Sequence, residues 1–316
     1  MDKWWKNIEK YGDYMYDVII IGAGPAGLTS SIYSRRANKK TLVLEALSYG
    51  GQIINSLDIE NYPVEFHISG FDFATKLYEQ AKSLGAEIYF EKVTEIKNND
   101  DYKEVITSNN TYKTKSVIIA TGAENRKLGL ENENELVGKG ISYCATCDGN
   151  FYKDKVVAVQ GGGNTAIDDA LYLSEIASKV YLIHRRDEFR ADEAMVNKLK
   201  EKDNVEFFLN SSVTKLNAKD NLESIEVTNK DGETKELEVS ALFVAIGRTP
   251  ANADFENLIK VDEAGYIVAS EDCHTNIPGI FVAGDNRTKD VRQLVTATND
   301  GAIAAIEASK YISNLK

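Results

Sequence analysis

Cysteine is scarce in this chain: three in 316 residues. So few exclude the disulfide-dense class of small secreted domains, and a chain of this length buries a core without staples or a structural metal. Proline is scarce too, with four residues, and no low-complexity tract is present, which argues against long disordered linkers. Basic charge is in deficit: the net charge is −12, and a phosphate backbone would be repelled, so no nucleic-acid partner is expected. No apolar run approaches the ~18 residues that span a bilayer, and no membrane partner is expected. The segment 1–16, with Trp4 and Trp5, lacks the apolar core and small-residue cleavage site of a secretory signal. It is read as a short extension packed on its own domain, and a cytoplasmic location is expected. What is present is ordinary for a globular protein, 43% apolar and 27% charged, with length for about two domains at ~150 residues each.

Two of the three cysteines form Cys144-Ala145-Thr146-Cys147, followed by Asp148-Gly149. Thiols at that spacing close and reopen a small ring, and in a reducing compartment a lasting disulfide of this kind has to be catalytic. Structural zinc is the competing reading. It wants N/S ligands in a set of four, and Cys273, His67, His184 and His274 offer no ligand spacing, so no metal is expected. Asp148 beside Cys147 suits proton transfer, although Asp-Gly is also a common turn.

Residues 17–21 are a continuous apolar run, as in a strand buried on both faces, and Gly22-Ala23-Gly24-Pro25-Ala26-Gly27 follows at once. A helical stretch to about Ala37 and a second strand ending in Glu45 complete a βαβ dinucleotide fingerprint. Glycines permit close approach to a pyrophosphate, the helix N-terminus faces it, and the acid meets ribose hydroxyls. The pattern recurs: strand 156–159, Gly161-Gly162-Gly163-Asn164-Thr165-Ala166, a helix to about Ala177, and strand 179–183. In both copies 23 positions separate the first glycine from the residue ending the second strand, Glu45 in one and His184 in the other. In the second copy the acid is replaced by His184-Arg185-Arg186, with Arg190 beyond. That set suits a 2′-phosphate, so NADPH is preferred over NADH. Three further buried strands end in turns at Ala120-Thr121-Gly122, Ile246-Gly247 and Gly284-Asp285. The first two fit crossings between domains, and Asp285 is placed to accept a sugar hydroxyl. A long helix is expected from Arg292 to about Ile312. The fold class is α/β, with two Rossmann-like domains.

These motifs, with Gly50-Gly51-Gln52, Glu60-Asn61-Tyr62-Pro63 and Arg292-Gln293, closely resemble the low-molecular-weight, NADPH-dependent thioredoxin reductases, a branch of the two-dinucleotide-fold flavoprotein disulfide reductases. The resemblance implies an FAD domain in two segments, 1–125 and 251–316, with an NADPH domain, 126–250, inserted and carrying the CxxC. It implies FAD contacts at Gly22, Gly24, Pro25, Ala26, Gly27, Glu45, Gly51, Gln52, Asn61, Ala120, Thr121, Gly122, Gly284, Asp285, Arg292 and Gln293. NADPH contacts are implied at Gly161, Gly163, Asn164, Thr165, Ala166, His184, Arg185, Arg186, Arg190, Ile246 and Gly247. Cys147 is implied as the sulfur nearer the flavin, Cys144 as the one attacking the substrate, and Asp148 as the proton carrier. Oxidised thioredoxin or a similar small disulfide protein is the implied partner, a homodimer the implied assembly, and rotation about the crossings the implied motion. The chain departs from the family at Asn164-Thr165 (commonly Asp-Ser), Asp168-Asp169 (usually Glu-Glu) and Asn299 (usually glycine). A ferredoxin-fed or oxygen-using enzyme and a non-enzymatic flavin-bound sensor are the other readings.

Overall fold

The computed structural model describes residues 15–56, 58–65 and 67–315; Trp4 and Trp5 lie outside them. The chain divides into two compact units, Met1–Glu124 with Thr249–Lys316, and Asn125–Arg248.

In the first unit β1 (Met15–Ile21) runs between β2 (Thr41–Glu45) and β6 (Thr111–Ile119), parallel to both. β3 (Glu87–Phe90) extends the sheet beside β2. Side chains alternate across a strand, so the apolar run of β1 serves two cores at once. Val18 and Ile20 join one cluster with helix α1 (Pro25–Arg36) and helix α6 (Leu294–Asn314), while Ile19 and Ile21 join the other. β6 changes partner along its length. Residues 111–114 pair antiparallel with β5 (Lys103–Thr107), which leads to β4 (Val93–Asn98), and residues 117–119 pair parallel with β17 (Ile280–Val282). β17 is therefore the chain returning to its first sheet, which is why the unit is discontinuous. Helix α2 (Gly70–Ser83) opens on Ser69, whose hydroxyl accepts from the Asp72 amide. α6 begins at Leu294 rather than Arg292, because the Gln293 amide turns to the Thr296 hydroxyl, 3.0 Å, as a cap.

In the second unit a parallel sheet runs in the order β11 (Val205–Phe208), β10 (Lys179–Ile183), β9 (Val156–Gly161), β15 (Ala241–Ala245), β8 (Ile141–Ser142). Helices α4 (Asn164–Ser174) and α5 (Glu193–Lys200) cover one face. An antiparallel meander of β12 (Ser211–Ala218), β13 (Leu222–Asn229) and β14 (Thr234–Glu238) covers the other. α4 stops short of Ala177 because the Asn204 amide donates to the carbonyls of Ser174 and Ala177, taking over the helix end. Two short strands, β7 (Ala123–Asn125) and β16 (Arg248–Pro250), pair with each other where the chain passes between units. The expected α/β class, with two Rossmann-like parallel sheets, is the one observed.

Candidate active site

In the first unit the expected residues collect at the carboxyl ends of four parallel strands: residues 22–27 after β1, Glu45 ending β2, residues 120–122 after β6, and Gly284 with Asp285 after β17. Ligands bind at such ends in open α/β sheets. Gly22 has φ +105, and a Cβ there would stand 2.3 Å from the Ala120 oxygen, so only glycine lets these loops touch. Glu45 closes the first loop, accepting from the Ala23 amide (2.7 Å) and the Leu47 amide (3.0 Å). A carboxylate has about four lone-pair sites, so capacity remains for hydroxyl donors. The second glycine motif comes alongside, with a Cβ on Gly51 3.3 Å from Gly24 Cα. α1 then starts with Pro25, Ala26 and Gly27, with no side-chain cap and no acid in its first turn. α2, by contrast, is capped by Ser69 and carries Asp72 there. The open amides and dipole of α1 fit an anion such as a nucleotide diphosphate.

Around this loop the structure adds supports that sequence reasoning missed. Thr121 is pinned by two fully buried asparagines, donating to Asn252 at 3.2 Å and accepting from Asn286 at 3.0 Å. The Gly284 amide donates to Asp300 Oδ2, 3.0 Å, and Asp300 also receives Arg287 and Lys289. Arg292 donates to the Asp285 carbonyl and lies over the Tyr266 ring. Asn61 and Gln293 are brought together, Nδ2 to Oε1 at 3.3 Å, while Gln52 is exposed on the short turn Gly51–Asn55. Cys273 is a buried free thiol, pushed up to about 12 by burial.

The second unit repeats the plan. A Cβ on Gly161 would stand 2.3 Å from the Ala245 oxygen, just before Ile246 and Gly247. α4 starts on Gly163 without a side-chain cap or first-turn acid, whereas Asp192 caps α5. Arg185, Arg186 and Arg190 are exposed, and the Arg190 amide is fixed to the Gly162 carbonyl at 2.7 Å. His184 stands apart from them. It is buried, stacks on Phe189, and fills the space over Gly162, where a Cβ would lie 2.1 Å from its ring. Burial lowers its pKa, so it supports the loop as a neutral ring rather than adding a cation. Asn164 accepts from the Asp192 amide, 2.9 Å, tying the loop to α5; Thr165 is exposed and Ala166 buried.

Cys144 and Cys147 are joined in a disulfide, Cα–Cα 5.3 Å, at the short helix α3 (Ala145–Asp148). Both are half-buried, with Thr146 exposed between them. The Cys144 amide donates to the Ser142 hydroxyl (3.1 Å), which lies 2.6 Å from Asp148 Oδ2 and donates to it. Burial raises the Asp148 pKa and the Ser142 bond draws it back. Tyr143 donates to Glu133 (2.8 Å), a buried carboxylate that also accepts the amides of Leu128 and Gly129. Ser142 and Glu133 carried no sequence signal beyond standing near the cysteines. Among the described residues one cluster has metal-ligand geometry, Asp58 with Glu60 and His67. His67 there bonds Asp58 directly, 2.8 Å, which accounts for the arrangement.

Two nucleotide-type sheets, each with an open glycine loop, and a disulfide beside a half-buried carboxyl define a nucleotide-linked disulfide oxidoreductase. A model of the pyridine nucleotide-disulphide oxidoreductase family matches residues 16–301, and the chain belongs to that family. A thioredoxin reductase of Listeria monocytogenes is 43% identical over 304 residues, covering 96% of this chain and 95% of the relative. That of Bacillus subtilis is 43% identical over 305 residues, covering 96% of both. The crystal structure of a thioredoxin reductase from Streptococcus pyogenes matches with a TM-score of 0.90 at 40% identity, covering 95% of this chain and 98% of that one.

Proposed function

We infer that this chain is an NADPH-dependent thioredoxin-disulfide reductase that works with FAD. The observation that carries the reading is the Cys144–Cys147 disulfide, set beside Asp148 in the unit that also holds the arginine-flanked glycine loop. FAD supplies the hydride-accepting, electron-passing chemistry between NADPH and the disulfide, and the protein supplies position, charge and protons.

Residues 1–125 and 251–316 form the FAD domain. The α1 amides behind Gly22, Gly24, Pro25, Ala26 and Gly27 receive its diphosphate, and Glu45 takes ribose hydroxyls. Asp285 accepts a sugar hydroxyl, the turn Ala120-Thr121-Gly122 and Gly284 leave room for the cofactor, and Gly51, Gln52, Asn61, Arg292 and Gln293 bond the flavin end. Residues 126–250 form the NADPH domain. Gly161, Gly163, Asn164, Thr165 and Ala166 present the α4 amides to the diphosphate, with Ile246 and Gly247 alongside. Arg185, Arg186 and Arg190 hold the 2′-phosphate, and His184 supports them from beneath. Once the disulfide is opened, the Cys144 thiolate attacks a disulfide sulfur of thioredoxin. Cys147 then attacks the mixed disulfide, restoring the ring and releasing the dithiol. Asp148 takes and returns the proton that lets each sulfur act as thiolate or leave as thiol. No described helix is long and apolar enough to cross a membrane. We place the enzyme in the cytoplasm as a homodimer.

The test is NADPH oxidation with a panel of oxidised thioredoxins, repeated with NADH and with Cys144→Ser. Turnover should need NADPH and vanish in the variant. Comparable rates with NADH would overturn the arginine assignment. Failure of stoichiometric NADPH to bleach the flavin would favour a ferredoxin-fed or oxygen-using enzyme instead.

A further inference from the structure

Residues 131–135 are polar at every position, and all but one of them are exposed. The one inside is Glu133, at 2% exposure. Burying a carboxylate is costly unless its lone pairs are taken up, and three donors take them up here. Oε1 accepts the Leu128 amide (2.9 Å) and the Tyr143 hydroxyl (2.8 Å), and Oε2 accepts the Gly129 amide (2.8 Å). Burial and the facing carboxylate push the Tyr143 phenol up, so it stays protonated and donates. Its ring packs with Leu128 and Leu130 against the cluster that holds Leu136 and Ile141. The proton and electron steps of the reaction make no use of this pair.

The pair stands directly before Cys144. Ser142 ends β8, which pairs with β15, and its hydroxyl accepts the Cys144 amide (3.1 Å) while donating to Asp148 (2.6 Å). Tyr143, the next residue, is tied to Glu133 instead. The backbone entering Cys144 is therefore held through two consecutive side chains with separate partners. Beyond it, the Cys144 carbonyl accepts the amides of Cys147 (3.3 Å) and Asp148 (3.1 Å).

We propose that Glu133 and Tyr143 are positioning residues of the disulfide half-reaction, which keep Cys144 within reach of Cys147 while the ring is open. In the oxidised state the S–S bond itself fixes Cys144, and the anchor adds little. Two electrons and two protons break that bond and leave two thiols, and Cys144 is then held by the chain on either side of it. An anchored Cys144 has less freedom to gain on reduction, so the effective concentration of one sulfur for the other stays high. The same anchor serves the mixed disulfide. The Cys147 thiolate attacks Cys144 Sγ, the bond from Cys144 to the substrate sulfur breaks, and that sulfur leaves to take a proton. The inference rests on Cys144 and Cys147 being the redox pair, and adds the residues that position it.

The experiment equilibrates the holoenzyme with dithiothreitol redox buffers, alkylates the free thiols and counts them, for the wild type, Tyr143→Phe, Glu133→Gln and the double variant. Tyr143→Phe keeps the packed ring and removes one bond to a charged group. The effective concentration should fall about tenfold, which is a potential about 30 mV less negative for a two-electron couple. Glu133→Gln should shift the potential the same way, because its NH2 group cannot accept the Gly129 amide. The double variant should shift it no further than the larger single change, since the two residues act as one unit. A wild-type potential in Tyr143→Phe would overturn the proposal, even with a lowered melting midpoint, because the pair would then serve stability alone. Should Glu133→Gln lose its flavin, Tyr143→Phe decides. Dithiothreitol stands in for both NADPH and thioredoxin, so failure of the proposed activity leaves this readout intact and shows instead as a wild-type disulfide that NADPH does not reduce.

Discussion

Replacing Asp300 with asparagine removes one charge from a buried set of three. Its Oδ2 receives Gly284 N (3.0 Å), Arg287 Nε (2.9 Å) and Lys289 Nζ (2.8 Å), and its Oδ1 receives Arg287 Nη2 (3.0 Å). Asp300 and the Arg287 side chain are 1% exposed and that of Lys289 is 5% exposed. The other carboxylate in reach, Glu271, is 81% exposed and is a poor substitute. Breaking a buried pair from one side costs about 3–5 kcal/mol, because the partner charge is left uncompensated. Asparagine keeps one acceptor, so the low end, about 3 kcal/mol, is expected. At roughly 2–4 °C per kcal/mol for a domain of this size, the midpoint should fall by about 6–12 °C. Circular dichroism melts of flavin-free protein measure this, and flavin release measures how far the Gly284 loop loosens. Replacing all three charges together, Arg287→Met with Lys289→Met and Asp300→Leu, should cost less than Asp300→Asn alone. The pH dependence carries a sign. Burial alone would raise the Asp300 pKa, but the bonds from Arg287 and Lys289 outweigh it and the pKa is lowered. Its stabilisation is therefore present above the unfolded value of about 3.9 and is lost as pH falls through the folded one. The gap between wild type and variant should hold from pH 8 to about 4 and close below that. A midpoint within about a degree of wild type, or a triple variant weaker than the single one, would refute the reasoning.

Ser142→Ala removes the donor that favours ionised Asp148 against the burial that raises its pKa, so the pKa should rise further. The acid limb of the disulfide half-reaction, followed by stopped flow, should move to higher pH, and an unmoved limb would rule out the relay. Removing Arg185 or Arg190 should raise KM for NADPH about tenfold each, at about 1.4 kcal/mol per lost phosphate contact, and leave KM for NADH unchanged. Equal effects on both cofactors would mean that these arginines hold the loop rather than the phosphate.

The parallel sheets were legible because a run such as residues 17–21, apolar at every position, has few homes other than a strand covered on both faces. The glycine turns were legible for the same kind of reason, since Gly22 and Gly161 each stand where a side chain would collide with the end of a neighbouring strand. The supporting groups were not. Asp300 sits among alanines on a long helix and its partners lie on a charged loop, a pattern that reads as solvated surface. It is buried only because α6 folds back onto α1, where a side chain on Gly301 would stand 2.3 Å from the Ala26 carbonyl.

His184 shows how two equally spaced loops came to differ in charge. In the first copy the position is Glu45, and its carboxylate closes the loop by accepting the amides of Ala23 and Leu47. In the second copy a ring does the closing, filling the gap that Gly162 leaves and stacking on Phe189. Only the first solution puts a negative charge at the end of the second strand, and a carboxylate there would repel a 2′-phosphate. The second is neutral, because burial depresses the imidazole pKa while Arg185, Arg186 and Arg190 crowd it with positive charge. The second loop is thus the more basic of the two for two reasons acting together: exposed arginines, and an uncharged ring beneath them that performs the loop-closing task of Glu45 without its charge.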